Sequence, residues 1–326
     1  GLNWGEDSST IPYALLYTQC YEVLRIAFSN AKPDPDFDAF VEAQKDWLED
    51  YALYMALKFA HDGEPFTEWG RSLRRRKKEA MDLARETYKE DIAFHKFIQY
   101  QFFKQWYQLK AYANEQGISI IGDLPIYTAA DSVEVWAHPE LFELNVLNRP
   151  AEVAGCPPDC FSATGQLWGN PVYHWEQHRK TGYAWWIHRL GYVSKLFDMV
   201  RIDHFRGFES YYSIPAKKET AEHGTWMPGP GLELFQAAQQ KLGELNILAE
   251  DLGNITPQVR KLLAETGFPG MKVLQFAFDS DADNEFLPHN YTTSHCVVYT
   301  GTHDNDTLLH WAETLNREPL RFARAY

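Results

Sequence analysis

The run FDMVRIDHFRG, residues 197–207, sets Arg201 and Asp203 two apart in apolar sequence and follows them with His204 and Arg206. Residues two apart on a strand face the same way, so Arg201 and Asp203 share one face while Val200 and Ile202 take the other. Charged groups in a buried strand are costly to desolvate, which leaves two readings. One is a structural ion pair. The other is an aspartate that the guanidinium keeps ionised, its pKa lowered, ready to attack a carbon that develops positive charge.

Further acids stand in comparable places. Glu250 follows the apolar Ile247, Leu248 and Ala249. Burial there would raise its pKa and suit a protonated general acid near neutral pH, unless it serves only to cap the next turn. Asp251 beside it should point the other way. GTHDND, residues 301–306, offers His303, Asp304 and Asp306. It reads as a turn rich in hydrogen-bonding side chains, as a third acid for the same site, or as a metal site. A metal-dependent hydrolase needs two or three histidines in ligand geometry, and His204, His303 and His289 are the candidates. Two carboxyls with pKa values driven apart are what glycosidic bond cleavage requires. His204 and His303 each adjoin an aspartate, which also fits hydrogen bonding to sugar hydroxyls.

Composition narrows the field. A net charge of −14 argues against nucleic acid and anionic membranes, which need clustered Lys and Arg. The one basic run, Arg71 to Lys78, lies in helix-prone sequence and reads as a solvated helix face. Aromatic residues make up 15% of the chain, enough for a ring-rich core or for a cleft that stacks on flat ligands. Four cysteines make no disulfide framework, and Cys156 and Cys160 have no second pair at zinc spacing. They read as reduced thiols of a cytoplasmic protein, or of a plastid one if the source is a plant or alga. No apolar run reaches transmembrane length and no signal peptide stands out.

The elements that must position these acids come in two styles. Residues 1–115 read as mostly helical: FVEAQKDWLEDYALYMALKFA and DIAFHKFIQYQFFKQWYQLKAYANEQG carry apolar residues at three- and four-residue spacing, the second closing at Gly117. From 116 to 326 short apolar runs alternate with helices. The runs are ISIIGDLPI at 118, LFDMVRIDHFRG at 196, LNILAEDLG at 245, MKVLQFAFD at 271 and HCVVYTGTHDND at 295. GLELFQAAQQKLGE is one intervening helix. Another spans NITPQVRKLLAETG, with Thr256 to cap it, Pro257 at its first position and Gly267 at its end. Strands alternating with helices make a parallel sheet buried on both faces. Asp123, Asp203, Glu250 and Asp304 would each end a strand, the arrangement of the functional face of a TIM barrel. No Gly-rich phosphate loop supports the doubly wound alternative. The fold class is therefore α/β, a (β/α)8 TIM barrel with about five of its eight strands in this chain. The span 127–190 is loop-rich and aromatic, an insertion suited to binding substrate.

At these residues the chain closely resembles the 4-α-glucanotransferases (amylomaltase or disproportionating enzyme, glycoside hydrolase family 77). The likeness is carried by WLEDYALYMALK, IIGDLPIY…DSVEVWAHPELF, GCPPDCFSATGQLWGNPVYHW, LFDMVRIDHFRGFESYYSIPA, ILAEDLGNITPQV, GFPGMKVLQFAF, FLPHNY and VVYTGTHDNDT, over essentially the whole chain. The resemblance implies transfer of α-1,4-glucan segments between malto-oligosaccharides by a retaining double displacement, without cofactor or metal. It implies Asp203 as nucleophile, Glu250 as general acid/base and Asp304 as transition-state stabiliser, with Arg201 and His303 orienting the nucleophile and the sugar. PPDCFSATGQLWGNP resembles the family's acceptor-side loop, with Asp159, Phe161, Gln166 and Trp168 as glucan contacts. Asp123, His204, Asn170, Tyr173 and Asn305 complete the implied substrate-binding set.

Two departures stand out. Cys160 occupies a place where the family commonly has an aromatic ring, which bears on acceptor affinity or product size rather than on the chemistry. Family members also extend beyond the points matching Gly1 and Tyr326, so a piece of a longer protein is expected. Its open sheet edges should leave it poorly stable and weakly active alone. Two other functions share these features: a related α-amylase-type retaining hydrolase, and a glucan-binding protein without catalysis. The three acids count against the second.

Overall fold

The computed structural model describes residues 9–159 and 162–326. The chain forms two compact units: the described residues up to Glu115 together with Ala130–Pro139 and Asn145–Arg149, and then Gln116–Ala129, Glu140–Leu144 and Pro150–Tyr326.

The first unit is helical. Its long helices span Lys45–Ala60 and Lys89–Glu115, and the first buries Leu48, Ala52, Leu53, Tyr54, Ala56 and Leu57. The second ends two residues before Gly117, whose φ of +74° is the left-handed conformation that closes a helix. Asp34 caps the helix Pro35–Ala43, its side chain accepting from Asp36 N. Residues 130–139, which sequence reading assigns to the loop-rich insertion, belong to this unit for a physical reason. Asp131 accepts from Tyr54 Oη at 2.7 Å, Phe66 N at 3.0 Å and Lys58 Nζ at 2.7 Å, and Trp136 packs on the rings of Tyr54 and Trp69. The basic run is not simply a solvated face either. The helix Arg71–Arg74 stops, and Arg76 turns back with φ +49° to reach Asp50 at 2.7 Å and lie over Trp136.

The second unit holds three sheets. β1 (Ile121–Pro125), β4 (Met199–Asp203) and β7 (Ile247–Ala249) form a parallel sheet in the order β1-β4-β7. β8 (Gly270–Val273) and β9 (Cys296–Tyr299) form a second parallel pair, and Ala249 N donates to Pro269 O, just before β8, at 2.9 Å. The expected runs thus all contain parallel strands. The helix Pro257–Thr266 has the expected ends: Thr256 Oγ1 accepts from Val259 N at 3.3 Å, and Gly267 takes φ +71°.

The third sheet is antiparallel, in the order β3-β2-β5-β6, and is not foreseen from the sequence. It comprises β2 (Glu152–Cys156), β3 (Gln166–Pro171), β5 (Ser210–Pro215) and β6 (Thr225–Pro228). Two of its strands lie inside the span 127–190. At Gly155 a Cβ would meet Gln166 O at 2.1 Å, so only glycine lets β2 and β3 close on each other there.

Two strand-end expectations need correction. Asp123 sits in the middle of β1, because pairing with β4 continues through Leu124 and Pro125. Asp304 lies in a turn beyond β9 rather than at its end.

Candidate active site

β1 and β4 pair with Asp123 opposite Arg201 and Pro125 opposite Asp203. The register brings two acids to one guanidinium. Arg201 Nη1 donates to both carboxylate oxygens of Asp123 at 2.7 and 2.8 Å, and its Nη2 lies 3.0 Å from Asp203 Oδ1. Arg201 is buried, while the two carboxylates are close to half exposed. The Arg201–Asp203 pair is therefore an ion pair and also part of a larger cluster.

Glu250 follows β7 directly and is fixed from every side. Its N donates to Ile202 O at 3.0 Å and its O accepts from Phe205 N at 3.1 Å. Its Oε2 accepts from His204 N at 2.7 Å and its Oε1 from Leu252 N at 2.7 Å. Ile202 pairs with Ala249, and Asp203 and Glu250 each follow their member of that pair. Asp251 turns away, as expected, to accept from Met271 N at 2.7 Å.

The electrostatics separate the two carboxyls. Burial raises Glu250 to about 7, and the field of Asp203 adds to this, against the backbone donors and Arg201. Asp203 differs from the sequence expectation. Its pKa is raised, not lowered: desolvation outweighs the pull of Arg201, and the charges of Asp123 and Asp304 add to it. The guanidinium effect is real but is not the largest one acting. Asp304 is itself about two-thirds exposed, 3.5 Å from His303 Nε2, and its field reaches Asp203.

His204 takes the left-handed conformation, φ +53°, directly after Asp203. Burial lowers its pKa to about 3, which keeps the imidazole neutral, and Nε2 has no hydrogen-bond partner among the described residues. Its ring meets Trp168 edge to face with centroids 4.8 Å apart. On β3 Trp168 Nε1 donates to Gln166 Oε1 at 3.0 Å; the strand is then irregular against β2, Gly169 taking φ +77°, and Asn170 Nδ2 donates to Thr128 O at 2.8 Å. Asp159 Oδ1 accepts from Ser162 N at 2.8 Å. Phe161 and Cys160 lie outside the described residues.

Two of the expected contacts are engaged internally. Asn305 Oδ1 accepts from Thr302 N and Oγ1 at 2.9 and 3.0 Å, which shapes the turn holding Asp304. Tyr173 is 1% exposed, and its hydroxyl donates to Ile126 O at 2.6 Å; it is a core residue under the site, not an open contact. A further ring beside Trp168, with centroids 6.1 Å apart, is that of Tyr127, which the sequence pattern does not single out. Cys156 is a further neighbour of the site that no sequence pattern marks. Burial raises its thiol to about 11, and the fields of Arg206, Asp159, Glu250 and Asp203 all act on it. Cys20, Cys156 and Cys296 are free.

An aspartate ringed by acids and one arginine, beside a glutamic acid that keeps its proton near neutrality, defines a carboxylate-pair centre on a mixed α/β fold. Comparison with known proteins agrees with that class. The family 4-alpha-glucanotransferase matches residues 2–326, and the chain belongs to that family. It is 51% identical to the 4-alpha-glucanotransferase of Thermus thermophilus, over 99% of this chain and 66% of that protein. It is 47% identical to the enzyme of the same name from Clostridium butyricum, over 95% of this chain and 64% of the relative. The amylomaltase from Streptococcus agalactiae, solved in complex with acarbose, superposes with a TM-score of 0.96 at 42% identity, covering 100% of this chain and 66% of that one. The chain thus spans just under two thirds of the relatives' length. Among the described residues no helix is long and apolar enough to cross a membrane.

Proposed function

We propose that this chain carries the catalytic centre of a 4-α-glucanotransferase that moves α-1,4-glucan segments between malto-oligosaccharides. An Asp203 carboxylate oxygen attacks the anomeric carbon as Glu250 gives its proton to the departing glycosidic oxygen. The bond to the leaving sugar breaks and a glycosyl-aspartate forms. Glu250, now a carboxylate, takes the proton of an incoming sugar 4-OH, whose oxygen displaces Asp203 from the same carbon. Asp304 stabilises the positive charge that builds on the ring, and Arg201 holds Asp203 and Asp123 in place. His204, His303, Gln166, Trp168 and Asn170 contact glucan, with Asp159 and Phe161 on the acceptor side.

The observation that carries this reading is a Glu250 raised to about 7 whose Oε2 is bonded to the amide of His204, directly after Asp203. The family membership and the acarbose complex of the S. agalactiae relative support an α-glucan substrate. In the same reading β1, β4, β7, β8 and β9 are five strands of a (β/α)8 barrel within 116–326, with 1–115 a helical subdomain.

Incubation with maltotriose tests the proposal. Transfer yields glucose together with chains longer than the substrate. A product mixture containing only shorter sugars would replace transfer by hydrolysis, and loss of neither product on Asp203→Asn would remove the nucleophile assignment.

A further inference from the structure

Arg206 stands three residues after Asp203, in the tight turn Phe205–Phe208, and is 4% exposed. A guanidinium buried this deeply needs partners, and its partners come from separate parts of the unit. Nη1 donates to Asn254 O, in the segment that runs from Glu250 to the helix Pro257–Thr266. Nη2 donates to Ser210 Oγ at 3.1 Å, and that hydroxyl donates to Glu209 Oε2 at 2.5 Å. The guanidinium carbon lies 3.8 Å over the ring of Trp226 on β6. That ring packs on Tyr212 of β5 at 5.2 Å.

Glu250 is bonded to Ile202, His204 and Phe205, and Asp251 to Met271, whereas Asn254 lies beyond these ties and is reached by Arg206. Gly253, just before it, takes φ +81°, a left-handed turn that glycine adopts without strain. Arg206 joins Asn254 to the turn behind the nucleophile and, through Ser210 and Trp226, to the antiparallel sheet. We propose that Arg206 is a positioning residue: its Nη1 holds Asn254 against the turn after Asp203 while its Nη2 ties that turn to β5, and together these set the reach of Glu250 toward the glycosidic oxygen. Burial lowers the Arg206 pKa, against the fields of Cys156, Glu209 and Tyr127. The inference rests on the acid role proposed above for Glu250.

Arg206→Met and Arg206→Lys in the full chain test it with two readouts. The first is independent of activity: the protonation midpoint of Glu250, followed by carboxyl-labelled NMR. It lies near 7 in the parent and should fall toward the ordinary glutamate range in Arg206→Met, as a loosened segment admits water. The second compares maltotriose, whose leaving group needs a proton, with α-maltosyl fluoride, whose leaving group does not. Loss of alignment predicts a fall in maltotriose kcat of about 100-fold with KM little changed, and a far smaller change in the initial burst of fluoride. Lysine keeps the charge but cannot span both acceptors, so Arg206→Lys should fall between parent and Met.

An unchanged Glu250 midpoint, equal losses on both donors, or full rescue by lysine overturns the proposal. Should the parent release fluoride but never lengthen maltotriose, the transfer reading fails while the Glu250 midpoint still decides the clamp.

Discussion

The backbone amide of His204 donates to Glu250 Oε2 at 2.7 Å. This contact ties the residue after the proposed nucleophile to the proposed acid, so the left-handed turn at His204 serves both. A second amide, from Leu252, takes the other oxygen at 2.7 Å, and still the carboxyl sits near 7. Burial outweighs two donors that favour the charged form.

The raised Glu250 sets a pH dependence. The acid form is required for the first displacement, so the rate of that step should fall as pH rises through about 7. Glu250→Gln should lower kcat by about 100- to 10,000-fold and abolish that limb, as read from maltotriose kinetics between pH 5 and 9.

The same group should affect stability. Between the ordinary 4.5 and about 7 the folded chain keeps a proton that the unfolded chain has released. That contribution is fully present below 4.5 and is lost as pH rises through about 7. Glu250→Gln does not titrate. Its stability relative to the parent should therefore improve from pH 5 to about pH 7 and level off above that in urea unfolding, whatever the offset at pH 5.

Arg201→Met leaves Asp123 and Asp203 facing each other without a cation. Removing one partner of a fully buried pair costs about 3–5 kcal/mol. Here the acids are 44% and 42% exposed, so about 1–2 kcal/mol is expected by urea unfolding. Asp203 should titrate higher still, which moves the acid limb of the pH–rate profile upward. Failure of that limb to move would separate Arg201 from the nucleophile.

Trp168 offers its ring beside His204 at the end of the site. Trp168→Ala should raise KM for maltotriose about 10-fold, equivalent to roughly 1.4 kcal/mol of stacking, with a smaller effect on kcat. A change confined to kcat would put the ring outside the binding path.

Asp131 anchors residues 130–139 in the helical unit through Tyr54, Phe66 and Lys58. Asp131→Ala leaves the Tyr54 hydroxyl and the Phe66 amide without that acceptor, and a loss of about 2–3 kcal/mol is expected in thermal or urea unfolding.

The local elements are legible in the sequence: the Thr256 cap, the glycine stops at Gly117 and Gly267, and the shared face of Arg201 and Asp203. These depend on neighbouring residues and on a period of two or 3.6, which any window of the chain contains. The recognisable blocks around Asp203, Glu250 and Asp304 carried the functional reading with them. What pairs with what depends on the packed chain. The register that sets Asp123 opposite Arg201 joins residues 78 apart in the chain. The antiparallel sheet closes through strands whose irregular patterns give no periodic signal on their own. Residues 130–139 join the helices because Asp131 finds its partners there. The net direction of the Asp203 pKa was also hidden, because a neighbouring arginine is visible in sequence whereas burial belongs to the whole packed unit.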